Sequence, residues 1–147
     1  MRGVIVGILG FRQVDQKATA KKVRKFFDDD FMLCVRRLNR RPQDLKSPQY
    51  DPQPKGSTIG NSSEEAIIEH IALEEVYRAV AVAIRNCSRR SNLILVGRYL
   101  DGIPDSIMQE RLGLEHTHYG ESKNWALNEF ADRVQAQLPS LDLHVYK

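Results

Sequence analysis

Between Glu115 and Asn124 the chain carries two histidines, a threonine, a lysine and an asparagine. These side chains exchange hydrogen bonds with base edges and phosphates, and nothing beside them resembles an activated nucleophile. At helical spacing Tyr119, Ala126, Phe130 and Val134 fall on one side of this stretch, leaving His116, His118, Lys123 and Asn124 to point elsewhere. The chemistry that fits is non-covalent recognition of double-stranded DNA. His116, Thr117, His118 and Lys123 would enter or border the major groove, with Asn124 at its edge. Base contacts would specify the sequence while cations anchor on phosphates.

Such a helix needs a partner to hold its angle. Pro104, read as a first-turn proline, opens a segment with Ile107, Met108 and Leu112 on one face; Gly113 ends it and Leu114 plugs the corner. A short helix, a glycine turn and a longer helix with polar first turns is helix-turn-helix grammar. The same pattern also fits an ordinary helical hairpin.

Upstream, Asp15 can cap a helix running to about residue 40, with Val23, Phe27, Phe31, Cys34 and Leu38 at steps of three or four. Its flanks carry Lys21, Lys22, Arg24, Lys25, Arg36 and Arg37. Lys21, Lys25, Arg36 and Arg37 are candidates for phosphate contacts; a solvated face is the competing reading. Residues 41–62, with four prolines before Gly60, read as a linker or extended arm. Ser62 and Ser63 offer N-caps to a scaffold helix ending near Cys87. Along it Ile68, Ala72, Val76, Val80 and Ile84 step by four, widened by Ile67, Ile71 and Leu73, so its broad face is expected to be buried on more than one side. Residues 92–101 supply Leu93, Ile94, Val96, Tyr99 and Leu100 for a short buried brace. The tail LPSLDLHVYK is expected to be loose, with LDLHVYK able to form one strand if given a partner.

The resulting expectation is an all-α chain. It has a basic N-terminal helical segment (1–40), a proline- and glycine-rich linker (41–62), a helical domain (63–137) with a helix-turn-helix at about 104–134, and a tail (138–147). Charge divides along it: residues 1–60 hold 13 Lys/Arg against 6 Asp/Glu, a balance of +7, whereas residues 61–147 hold 9 against 13, a balance of −4. A basic front half suits an anionic partner such as nucleic acid. The acidic back half cuts against the motif found there.

Several chemistries lack support. Asp28, Asp29 and Asp30 are consecutive and fan out around a helix by about 100° each, so they cannot converge on a metal. His70 and Glu74 sit one turn apart with no further ligand pair in register, which suits a satisfied surface pair. His116 and His118 lie about 200° apart. No Gly-rich phosphate loop, nucleophile elbow or ligand-spaced His/Cys set is found, so no enzyme, cofactor or metal is expected. Cys34 and Cys87 read as small buried apolar residues of a reducing compartment. The apolar opening MRGVIVGILGF is short, twice broken by glycine and followed by Arg12, Asp15 and Lys17. It does not read as a secretory signal, and no membrane span is evident; a cytoplasmic setting in a bacterial host follows.

The chain resembles the ArpU family of phage-encoded transcriptional regulators, relatives of late-gene and autolysin regulators. The likeness rests on residues 15–27 (DQKATAKKVRKFF), on 45–54 (LKSPQYDPQP) with Gly60, Asn61 and 64–68 (EEAII), on 98–112 (RYLDGIPDSIMQERL), and on Tyr119, Lys123, Ala126, Leu127, Phe130 and Ala131. It covers residues 10–135, and the proline-bearing middle is its specific part. The terminal block is also similar to the promoter-reading fourth region of sigma factors, which implies a place at promoters and contact with RNA polymerase. Four positions depart. Glu115 stands where the family tends to have Ser, and is a poorer N-cap facing phosphates. Gly120, Glu121 and Ser122 stand where a Tyr-Arg-Leu-like triplet is common. Gly120 costs roughly 1 kcal/mol of helix propensity. Glu121 repels phosphate, although it could accept from cytosine. Ser122 forfeits about 1–2 kcal/mol of burial.

The expected function is sequence-specific DNA binding without catalysis, at late or lysis and packaging promoters. Two alternatives stay open: a non-catalytic adaptor for RNA polymerase or another phage protein, and a small terminase-like packaging protein, which would form stable rings. A palindromic operator would demand a two-fold homo-oligomer, whereas a sigma-like reader can act singly.

Overall fold

Asp15 starts the first helix as its capping chemistry predicts: its carboxylate accepts from Ala18 N–H at 3.0 Å, satisfying one of the N–H groups a helix start leaves open. The structure, a computed structural model, describes residues 5–46 and 63–147. Helix α1 (Gln16–Lys25) passes through a π-helical turn at Phe26–Phe31 into α2 (Met32–Arg37). Val23, Phe27, Phe31, Cys34 and Leu38 are buried as their spacing predicts, and Phe26 and Val35 join them. The wide turn accounts for the additions: its hydrogen bonds skip one residue more than α-helical ones, so Phe26, Phe27 and Phe31 all reach the interior. Asn39, at φ 57°, ends the run in a conformation asparagine tolerates.

Residues 41–46 do not behave as a free linker. Pro42–Lys46 forms a 3-10 turn that buries Leu45, and Lys46 meets Asp101 at 2.6 Å. The rest of the expected linker, residues 47–62, lies outside the described residues.

Helix α3 (Glu64–Asn86) is capped by Ser63, whose hydroxyl accepts from Ala66 N–H. Only its second half is buried, through Tyr77, Ala79, Val80, Ala81, Ala83 and Ile84. The expectation of burial along the whole face is corrected at Ile67, Ile68, Ile71 and Ala72, which are exposed. The reason is reach. Arg37, the last residue of α2, meets Glu69 at 2.8 Å, so Ile67 and Ile68 lie beyond the end of the helix that would cover them, while Ile71 and Ala72 stand roughly 120–140° around α3 from the buried Tyr77.

Helix α4 (Arg89–Leu95) and a second π turn (Val96–Leu100) form the expected brace, beginning earlier than predicted and leaving Leu93 exposed. Helices α5 (Asp105–Leu112) and α6 (His116–Gln137) follow. The chain is all-α apart from a small antiparallel hairpin of β1 (Ile5–Val6) and β2 (Phe11–Arg12), paired Ile5 with Arg12 and Val6 with Phe11. No helix among the described residues is long and apolar enough to cross a membrane.

One core joins both ends of the chain. Phe27 stacks on Tyr99 at 4.5 Å and lies 4.7 Å from Phe130, while Phe31 stacks on Tyr77 at 6.5 Å. The tail corrects another expectation, because it is pinned. Val145 C=O accepts from Asp15 N–H at 2.7 Å, Val145 N–H donates to the buried Thr19 hydroxyl at 2.9 Å, and Lys147 N–H donates to Gln13 C=O at 2.9 Å. The segment able to become a strand found its partner in Val14, bridged to Tyr146, and Leu143 is buried beside it.

Phe27 contacts three elements, so Phe27→Ala is expected to cost about 3–5 kcal/mol of stability. Urea denaturation of the full chain measures this; a loss under about 1 kcal/mol would mean the junction can collapse around the gap.

Candidate nucleic-acid interface

The corner between α5 and α6 is built by local chemistry. Gly113 takes φ 65°, a conformation that costs glycine little. Its N–H donates to Glu110 C=O at 3.1 Å, and Leu114 N–H donates to Gln109 C=O at 3.2 Å. Pro104 stands one place earlier than predicted: it is the capping residue, with extended ψ 153°, and the helix starts at Asp105. Helix α5 sits close on the second π turn at Gly97, where a Cβ would meet the flexible end of the Met108 side chain, Sδ and Cε. Ile107, expected on the buried face with Met108, is exposed.

A single carboxylate fixes the angle between the two helices. Asp105 accepts from Tyr119 Oη at 2.6 Å and Lys123 Nζ at 2.8 Å, and pairs with Arg98 Nε at 3.1 Å. Partial burial works against the Asp105 charge. The hydrogen bonds from Lys123 and Tyr119 and the charges of Lys123 and Arg98 outweigh it, holding the carboxyl below its ordinary value. Burial and the bond to Asp105 push the Tyr119 hydroxyl up.

This geometry sorts the predicted contact residues. His116, Thr117 and His118 are exposed on the first turn of α6. Glu115 caps that turn without a side-chain hydrogen bond, so the leading N–H groups of α6 find no acceptor from their cap. Lys123 is a different case. Its side chain is 12% exposed and committed to Asp105, so it braces the corner and does not project toward a groove. Asn124 is half-buried, and its carbonyl accepts from Asn128.

The N-terminal cations are likewise divided. Lys21 and Arg36 are exposed and form no ion pair among the described residues. Lys25 lies 3.9 Å from Asp29, and Arg37 bonds Glu69. Asp28, Asp29 and Asp30, exposed between the two pairs of cations, interrupt any continuous phosphate track along this helix. Arg111, in the last turn of α5, is an exposed cation beside the corner that sequence reasoning passed over. Arg98 and Asp105 were missed as well. Their signal was available, since an acid after Pro104 opens the helix that meets Tyr119 and Lys123.

Other titratable groups are structural. Burial pushes the Cys34 thiol up to about 11 and the Cys87 thiol up to about 12, which keeps both protonated and unreactive at neutral pH. Glu74 is a buried acceptor and not part of a surface pair as expected: Arg40 holds both its oxygens, at 2.7 and 2.8 Å, with His70 3.7 Å away. No group of three or more metal-ligating side chains converges among the described residues.

The chain is 33% identical over 125 residues to a protein of Enterococcus hirae, ArpU, named as an autolysin regulatory protein; the match covers 82% of this chain and 89% of that one. No family model and no solved structure matches it.

Two outcomes are expected. Asp105→Asn leaves the largely buried Lys123 without its countercharge and costs on the order of 1–3 kcal/mol at neutral pH. Because the folded carboxyl sits below the unfolded value of 3.8, its contribution is present above about pH 4 and fades as pH falls through the folded value. The gap between wild type and variant in urea midpoint should therefore narrow in acid; a gap independent of pH would argue against the charge assignment. Gly120, exposed with open space where a Cβ would stand, should gain about 1 kcal/mol as Gly120→Ala, read as a higher thermal midpoint.

Proposed function

The chain belongs to the ArpU family of regulatory proteins, and from that premise we propose that it is a phage-encoded, sequence-specific DNA-binding regulator of transcription acting at late or lysis and packaging promoters. The observation that carries the proposal is the exposed leading end of α6, held at a fixed angle by the Asp105 cluster. His116, Thr117 and His118 extend from that end and supply donors, acceptors and a methyl group for base edges. The leading N–H groups favour a phosphate at the same end.

Roles divide by geometry. His116, Thr117 and His118 read, with Asn124 at the margin of the contact. Lys123 acts through Asp105 by orienting α6. Arg111 and the exposed Lys21 and Arg36 anchor on phosphates outside the groove; Lys25 and Arg37, engaged by carboxylates, contribute less. Glu121, exposed on α6, opposes the backbone charge, so affinity depends on the cations around it. A reader so placed at a promoter would stand within reach of RNA polymerase.

Fluorescence anisotropy of the full chain with labelled duplex tiling its own phage late-promoter region tests the proposal. Binding should weaken by about tenfold in Thr117→Ala/His118→Ala, the scale of one base-edge recognition pair. It should strengthen in Glu121→Gln. Replacing Lys21, Lys25, Arg36 and Arg37 by alanine should lower the slope of affinity against salt by about one for each phosphate these cations neutralise. Equal affinity for every duplex, unaltered by the α6 substitutions, would sink sequence-specific reading.

A further inference from the structure

Trp125 is the chain's single tryptophan, and it is 67% exposed in the middle of α6. So large an aromatic surface is ordinarily buried by the fold or by a partner. The residue stands on the side of α6 away from Phe130 and the core, together with Glu121 and Asp132. It lines an open cleft of about 360 Å³ between α6 and the start of α1, together with Gln16, Asn124, Asn128 and the carboxylates Glu121, Glu129 and Asp132. Asn128 holds the wall in place, donating to Gln16 C=O at 3.0 Å. No lysine or arginine lines the cleft among the described residues.

The three carboxylates differ in availability. Glu129 is occupied: it accepts from Ser88 N–H and hydroxyl at 2.8 Å each and from Arg133 at 2.9 Å. Asp132 gives one oxygen to His144 at 2.6 Å and remains 73% exposed. Glu121 is exposed and bonds no described residue. An open indole one turn from the available carboxylate of Glu121, with Asp132 further along the same side, attracts a cationic segment twice over. The ring face draws it by cation–π interaction, and the carboxylates add charge-assisted hydrogen bonds.

We propose that this cleft is a docking site for a cationic segment of a partner protein. One arginine or lysine head would pair with Glu121, its aliphatic stem along Trp125, and a second, further along the segment, would pair with Asp132, roughly three turns away on α6. Duplex DNA is a poor occupant because the lining charges repel phosphate. A second copy, which carries exposed arginines on α3, α4 and α5 as well as the cations of α1 and α2, is the rival occupant, and the mass measured below separates it from a partner segment. The inference does not rest on the duplex reading: the cleft lies beyond His116, Thr117 and His118 and shares with the proposed base contact only its marginal residue, Asn124.

Trp125 reports directly on the site. The full chain is titrated with an acetylated, amidated nonapeptide alternating arginine and alanine, and with the same peptide carrying neutral citrulline for arginine, while Trp emission is followed. The arginine peptide should give a saturable change and the citrulline peptide about tenfold weaker binding. Glu121→Gln should weaken the arginine peptide about fivefold, whereas Glu64→Gln/Glu65→Gln, at the start of α3, should not. Trp125→Ala should abolish binding of a fluorescein-labelled arginine peptide by anisotropy while keeping its helical circular dichroism. Equal response to both peptides, equal weakening in the α3 control, or emission that changes on dilution together with a doubled mass would overturn the proposal. Glu121→Gln moves the two readings in opposite directions, weakening peptide and strengthening duplex, so either can fail alone.

Discussion

Phe130 meets Phe27 at 4.7 Å and Phe26 at 6.2 Å, and Phe27 carries the stack on to Tyr99. That packing commits one side of α6 to the core, and the rest of the helix's behaviour follows. Tyr119, Ala126, Leu127, Phe130, Ala131 and Val134 are all turned inward. What α6 can show a partner is whatever lies opposite, and at its leading end, where the body of the protein no longer covers it. The N-terminal helix, far away in sequence, is therefore part of the same device: without its phenylalanines the inner side of α6 would have no floor.

Much of this is legible from spacing. The inner stripe of α6, the Asp15 and Ser63 caps, the Gly113 corner and the apolar ladder that runs from Val23 through Phe27 and Phe31 to Leu38 are local rules that the surrounding fold does not override. Spacing also bears on Lys123. It lies four residues after Tyr119 and three before Ala126, inside the stripe that defines the buried side, so helical spacing implies its inward course and the expectation that it points elsewhere misplaces it. Trp125, two places further on, falls outward by the same count.

What stayed hidden depends on coverage and not on pattern. The apolar face of α3 repeats faithfully from Ile67 to Ile84, yet only the part reached by neighbouring helices is buried, and no periodicity states where a neighbour ends. The two π turns are equally silent, because a hydrogen-bond shift of one residue leaves composition unchanged. The tail looked loose for want of a visible partner. Its anchor is the Thr19 hydroxyl, fully buried because Val145 N–H supplies its bond, and a threonine within a helical run gives no hint of that role.

The electrostatics of the corner set a limit on how the helix can recognise anything. Holding α5 against α6 takes a carboxylate and two cations out of circulation, since Arg98 and Lys123 both turn toward Asp105. Lys123, on the inner side of α6, adds no charge to the outer surface, where Glu121 and Asp132 are exposed. A polyanion approaching α6 head-on meets histidines, a threonine and open N–H groups at the tip, then carboxylates further along. Insertion is consequently favoured by the end and opposed along the flank. Long-range attraction comes from cations elsewhere, on α1 to α4 and at the end of α5. The same distribution that discourages a nucleic acid from lying along α6 makes its flank suitable for a positively charged protein segment. One helix can thus present two surfaces of opposite preference, separated by little more than the two turns between His118 and Trp125.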